Sequence, residues 1–189
     1  MRPAMGAAAE RLVGILIELH TGLGAFGSPP GEWAGTNEEW FLYAFVRGVA
    51  GEGTGIVDAM VRRSATRSGE TVLADERVRE AIGKAGSSSG LAMDLFCLVY
   101  TLFFADVVSE FAKAMVSEQV KLAMPGLMII DPGGRIPDWV ADKVVGLIPN
   151  PCEQKHEQGD DAGSVSELAA SIVWDNVDRA LGLGDGAVA

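Results

Sequence analysis

With two cysteines and two histidines in 189 residues, the chain has little material for several kinds of site. Cys152 and His156 have the spacing of a zinc half-site, but no second closely spaced Cys/His pair exists to complete a structural zinc framework, so none is expected. Cys97 lies in an apolar stretch and Cys152 in a polar one. That placement implies no disulfide framework and a reducing, cytoplasmic compartment. Positive charge is also scarce: 15 Lys and Arg stand against 26 Asp and Glu, for a net charge of −11. Residues 1–90 carry a net −2 and residues 91–189 a net −9. An acidic chain without a basic stripe is repelled by phosphate backbones, which argues against nucleic acid and against anionic membrane surfaces. Long uncharged runs are missing too. Only 11 residues separate Asp94 from Asp106, against roughly 20 for a bilayer span, so no stable membrane span is expected. The apolar stretch LVGILIEL follows Glu10 and Arg11 and contains Glu18, unlike a signal peptide.

What the chain has is apolar residues, 48% of the total, with a mean hydropathy of +0.21. They must enter a large core, a subunit interface or a greasy ligand site. Most concentrate in residues 90–124, which hold no glycine or proline after Gly90. At helical pitch, residues 91–105 are apolar on every side, with only Asp94 and Thr101 interrupting. From Asp106 the segment becomes two-faced. Asp106, Ser109, Glu110, Lys113, Ser117 and Lys121 lie opposite Val108, Phe111, Met115 and Leu122. An all-round apolar helix has to be enclosed by other elements, so 90–124 reads as the central helix of the domain.

Around it the periodicity predicts further helices. Pro3 opens the first, whose stripe is Ala8, Leu12, Ile15, Leu16, Leu19 and Leu23. Thr36 and Glu39 form a capping-box pattern ahead of WFLYAFV. A third helix carries Ile56, Val57, Met60 and Val61, and a short charged one runs from about 75 to 84. Pro125-Gly126 stops the long helix, and Leu127 begins a short extended segment near 127–131. A sixth helix is expected at 138–147. Residues 149–163 read as a mobile acidic loop. Ser164 and Glu167 make a second capping box, opening a last helix with Leu168, Ala169, Ile172, Val173, Val177 and Leu181. The expected fold is therefore all-α: a bundle of about six or seven helices around 90–124, its core in residues 1–148, followed by the 149–163 loop and a C-terminal helix at 164–182 on the same domain.

Chemistry is harder to find. Gly86-Ser87-Ser88-Ser89-Gly90 is formally G-x-S-x-G, and Asp131 and His156 follow in the order a hydrolase triad uses. The residues before Ser88 read as helix where that motif needs a strand, and serines there also suit helix capping. Glu153 and His156 have a carboxylate–histidine spacing, but a helical dimetal site needs two such pairs and two further carboxylates, so no metal is expected. Arg62, Arg63 and Arg67 cluster on one stretch and suit a solvated helix face. Asp94, Cys97 and Thr101 fall on one side of the central helix, a polar stripe on a surface expected to be dry. A carboxylate there would line a wet ligand pocket, or be held near the helix N-terminus by an arginine such as Arg47 or Arg11. DPGGRIPDW, residues 131–139, resembles the join between the last strand and closing helix of START-type lipid-transfer domains. That fold has a curved antiparallel sheet where this chain shows helices, so no residue is carried over.

The function expected on these grounds is non-catalytic, through self-association or a protein partner, with no cofactor. The alternatives are a small apolar-ligand module with a pocket beside Asp94, lined also by Cys97 and Thr101, and a serine hydrolase using Ser88.

Overall fold

A computed structural model describes residues 2–22, 29–82, 90–123, 139, 143, 149–158 and 164–180; the side chains of residues 115–123, 158, 179 and 180 are left aside. The architecture is an all-α multi-helix bundle. Its helices are α1 (Arg2–Thr21), α2 (Asn37–Ala50), α3 (Ile56–Ala74), α4 (Glu76–Ala81), α5 (Met93–Ala123), α6 (Pro151–Gln158) and α7 (Val165–Ala180). No strand occurs among the described residues. The extended segment expected near 127–131 lies outside them. Of the helix expected at 138–147, Trp139 and Lys143 are described, both helical, with the Lys143 ammonium 5.9 Å from the indole centroid.

Local chemistry sets most helix starts. Both capping boxes form. The Glu39 N–H donates to Thr36 Oγ1 at 3.1 Å while Glu39 accepts from the Thr36 N–H at 2.7 Å. Ser164 and Glu167 repeat the exchange at 3.2 and 2.7 Å. Asp75 separates α3 from α4 by accepting the Arg77 N–H at 2.8 Å. Each satisfies backbone donors that a helix start leaves free.

Of the expected stripe of α1, Ala8, Leu12, Leu16 and Leu19 are buried, joined by Met5, Ala9 and Val13; Ile15 is half-buried and Leu23 lies outside the described residues. This helix packs against α2, α3, α5 and α7. Against α7 the approach is close enough that a Cβ on Gly6 would enter the Trp174 ring. Trp174 Nε1 donates to Glu10 at 2.8 Å, and Arg2 both pairs with Asp178 and lies 5.1 Å from the Trp174 ring centroid. Midway along α1, Arg11 donates to the Val49 and Ala50 carbonyls at 2.8 and 3.2 Å, a cation at the C-terminus of α2.

Helix α5 packs on α3 and α1, burying Leu95, Phe96, Val99, Tyr100, Phe103, Phe104, Val107 and Val108. Two ion pairs fasten it to α3, Arg63 with Glu110 and Arg67 with Asp106. Those arginines are not a free anion site. Enclosure on every side, however, is not observed. Asp94, Leu98 and Leu102 form an outward stripe, with the leucines 49% and 37% exposed. By length and composition Met93–Ala114 could cross a membrane, since eleven residues between two aspartates do not bound an apolar stretch that tolerates Asp106; 56% of its apolar window is buried inside the bundle.

The α3 face toward the core is small and partly polar, with Ser64 and Ser68 each 1% exposed and their hydroxyls without a partner among the described residues. A buried hydroxyl without a partner keeps its desolvation cost of about 1–3 kcal/mol. Ser64→Ala and Ser68→Ala are therefore expected to leave stability unchanged or raise it by about 1 kcal/mol, read by urea unfolding. Loss of more than about 1 kcal/mol would show that the hydroxyls have partners. Acid should act through the helix termini. Arg77 lowers the Asp75 pKa through its side-chain hydrogen bond, the Ser164 N–H does the same to Glu167, and Arg2 to Asp178. Their folded pKa values lie below the unfolded ones, so their stabilisation is present above the ordinary carboxylate range and lost as pH falls through the lowered values. Thermal melts should hold steady above about pH 5 and fall below about pH 4. A melting temperature that rose on acidification would contradict this assignment.

Candidate functional site

Residues from three separate parts of the chain meet beside the first turns of α5. Cys97, 6% exposed, is joined sulfur to sulfur with Cys152 on α6; the Cα atoms are 6.1 Å apart and 55 positions separate the two in sequence. That Cα spacing lies in the ordinary range for a disulfide. The expectation of two unrelated cysteines is thus corrected. So is the loop expected at 149–163, since residues 151–158 are helical. The local reason is a start signal that the polarity of the segment outweighed. Asn150 is an N-cap whose Oδ1 accepts the Cys152 N–H at 3.0 Å, and Pro151 fills the first helical position, where no N–H is needed. In the chain-entropy account, closing a loop of this length stabilises the fold by about 4 kcal/mol.

One turn further along α5, Tyr100 is fully buried and accepts a hydrogen bond from Asn176 Nδ2 of α7 at 2.7 Å. The same amide donates to the Pro149 carbonyl at 3.3 Å, two residues before α6. Burial pushes the Tyr100 phenol well above its usual range, with the Asn176 bond opposing the shift. It therefore stays protonated at neutral pH and serves as a hydrogen-bonding group. Asn176 is itself 0% exposed, and its Oδ1 has no partner among the described residues. One amide thus holds α5, α7 and the entry to α6 together, a junction missed because Asn176 reads as one polar residue in an amphipathic helix.

The other expected site residues lie differently. Asp94 is exposed in the first turn of α5, where it accepts the Leu95 N–H at 2.9 Å, and its charge acts on Arg77 of α4. Neither Arg47 nor Arg11 is its partner: Arg47 bonds Glu52 and Tyr43, and Arg11 caps α2. Thr101 keeps a buried Oγ1 without a partner among the described residues. Asp94, Cys97 and Thr101 share the near end of α5, but the carboxylate faces solvent. Ser88 and Asp131 lie outside the described residues, and His156 and Glu153 are exposed on α6. The last glycine of the G-x-S-x-G stretch has a packing role. A Cβ on Gly90 would collide with the His20 carbonyl oxygen, and Leu91 N–H donates to Leu19 O at 2.7 Å. His20 Nδ1 bonds Leu91 O at 2.7 Å, so the start of α5 is sewn to the end of α1.

Two surface features lie away from this junction. Trp33, Trp40 and Tyr43 pack ring on ring with centroids 5.2 to 5.7 Å apart, pinning the segment before α2 onto that helix. Beside them an open groove of about 620 Å³ runs between α2 and α3, lined by Leu42, Tyr43, Val46, Arg47, Arg62 and Thr66 among others.

Asn176→Ala should cost about 2–4 kcal/mol in urea unfolding, because it strands the Tyr100 hydroxyl and the Pro149 carbonyl in a buried place. Asn176→Asp should cost at least as much, by bringing a carboxylate against a carbonyl. A loss under about 0.5 kcal/mol for Asn176→Ala would mean that the junction is not load-sharing. No family model, no curated protein and no solved structure matches this chain.

Proposed function

We propose that the chain is a non-catalytic helical protein that works by self-association, with the outward stripe of α5 as the contact. The observation that carries this is Leu98 and Leu102, one turn apart and 49% and 37% exposed on the most apolar of the described helices. A large aliphatic side chain left half in water gains when a partner covers it, at about 25 cal/mol per Å² removed from solvent. A two-fold contact uses the same residues on both subunits, so each leucine counts twice. The Asp94 carboxylate at the edge of the stripe would lie at the rim, where charge contributes little to affinity.

Native mass spectrometry and sedimentation should give a multiple of the chain mass. Leu98→Glu with Leu102→Glu should weaken assembly by about 100-fold or more. Asp94→Asn should leave assembly intact. A strict monomer at every concentration would sink the reading, and so would an oligomer indifferent to both glutamates.

A second reading, a module for small apolar acids, draws on the α2–α3 groove. Leu42, Val46 and Tyr43 supply apolar lining; Arg47 is paired with Glu52, which also lines the groove, so Arg62, bonded to the Gly53 carbonyl, is the cation proposed to receive a carboxylate. A ligand bound only by the folded state must raise its stability. Medium-chain fatty acids should therefore raise the melting temperature of the wild type and not of Arg62→Ala. No shift in either protein would remove this alternative.

A further inference from the structure

Helix α6 is short and polar. Eight residues fall short of the roughly 12–15 at which an isolated helix becomes even marginal in water. Its sequence, PCEQKHEQ, has no apolar stripe; Pro151 is buried, Cys152 is half-buried, and Glu153, His156 and Glu157 are exposed. Among the described residues its attachments are the Pro149 carbonyl bonded to Asn176, the buried Pro151 ring, the packing against α7, where the Lys155 charge acts on Glu167, and the sulfur of Cys152. Only the last is covalent. It is also the one that answers to the chemical surroundings. By contrast, α1 is fixed by a continuous buried stripe and needs no such tether.

We propose that residues 149–158 form a redox-controlled strap. With the Cys97–Cys152 disulfide closed, the strap is held against α5 over the Tyr100–Asn176 bond. With the disulfide reduced, α6 detaches and melts, water reaches Tyr100 and Asn176, and the rest of the bundle stays folded. The reductant is a small monothiol of the glutathione class. Its thiolate attacks Cys152 Sγ, the more accessible sulfur, forming a mixed disulfide there as the Cys97–Cys152 bond breaks. Cys97 leaves as a thiolate and takes a proton. A second monothiol attacks the mixed disulfide, frees Cys152 and departs as the oxidised dimer. Two external thiols are oxidised, one disulfide is reduced, and the protons of those thiols end on the two cysteines. Closure reverses these steps. Cys152, in the first turn of α6, is then the attacking thiol, because a helix N-terminus favours the thiolate.

The test is hydrogen exchange on the full chain, equilibrated with glutathione disulfide alone or with reduced glutathione in excess. Intact mass after alkylation reports how many cysteines are free. In the oxidised sample neither should alkylate, and amides within 154–158 should be protected. In the reduced sample two alkyl groups should add, and peptides covering 149–158 should exchange about tenfold faster or more, while those covering residues 12–19 stay unchanged. Cys97→Ala with Cys152→Ala should show the fast pattern in both buffers. Three results would overturn the strap: both cysteines alkylating in glutathione disulfide, equal exchange at 149–158 in the two states, or loss of protection at 12–19 on reduction. The last would make the disulfide a staple of the whole fold.

Discussion

A helix of 31 residues extends about 46 Å, and the chain leaving its far end has to come back to its near end, where Cys152 meets Cys97. The junction of α5, α6 and α7 is built on that return. It brings Pro149 to Asn176, whose amide also bonds Tyr100, while α7 holds to α1 separately through Trp174 and Arg2. At this junction a polar bond is buried at the centre of an apolar face. Such a bond is costly to leave half made, and this one is made on both sides of the amide nitrogen.

The two flanks of α5 are treated differently. Toward α3 and α1 it is sealed by apolar packing and by arginines paired with Asp106 and Glu110. Toward solvent it keeps two leucines in an open stripe. A soluble bundle tolerates scattered exposed leucines without consequence. These two are adjacent, on a rigid helix, and beside the only described disulfide. The surface proposed for assembly and the proposed redox-controlled strap thus lie on the same end of one helix.

How much of this could be read from the residues depends on range. Capping boxes and the stripes of α1 and α7 are local, with a 3.6-residue period and a cap within four positions. Both boxes form. Of the stripes, Ala8, Leu12, Leu16, Leu19, Ala169, Ile172, Val173 and Val177 are buried, Ile15 and Leu168 are half-buried, and Leu23 and Leu181 lie outside the described residues. The length of α5 was equally legible, because no breaker interrupts it. Its orientation was not. A helix apolar all round carries no phase, so only α1 and α3, distant in sequence, decide that Leu98 and Leu102 face outward. The same limit hid the cysteine pair, since nothing in a separation of 55 residues marks two cysteines as neighbours. Asp94 looked like a buried carboxylate because its helix looked fully enclosed; its surroundings include Arg77 from a short helix whose position periodicity does not reveal. At α6 the signal was present, Asn150 then Pro151, but the average polarity of the segment spoke louder than its first two residues.

Peptide mapping of the non-reduced chain, digested after free thiols are blocked in glutathione disulfide, tests the fold-back most directly. The account requires one cross-linked pair, the peptide of Cys97 with that of Cys152, parting into two masses on reduction and present in material isolated as single chains. Separately blocked cysteines, or a link found only between two copies of the chain, would contradict it.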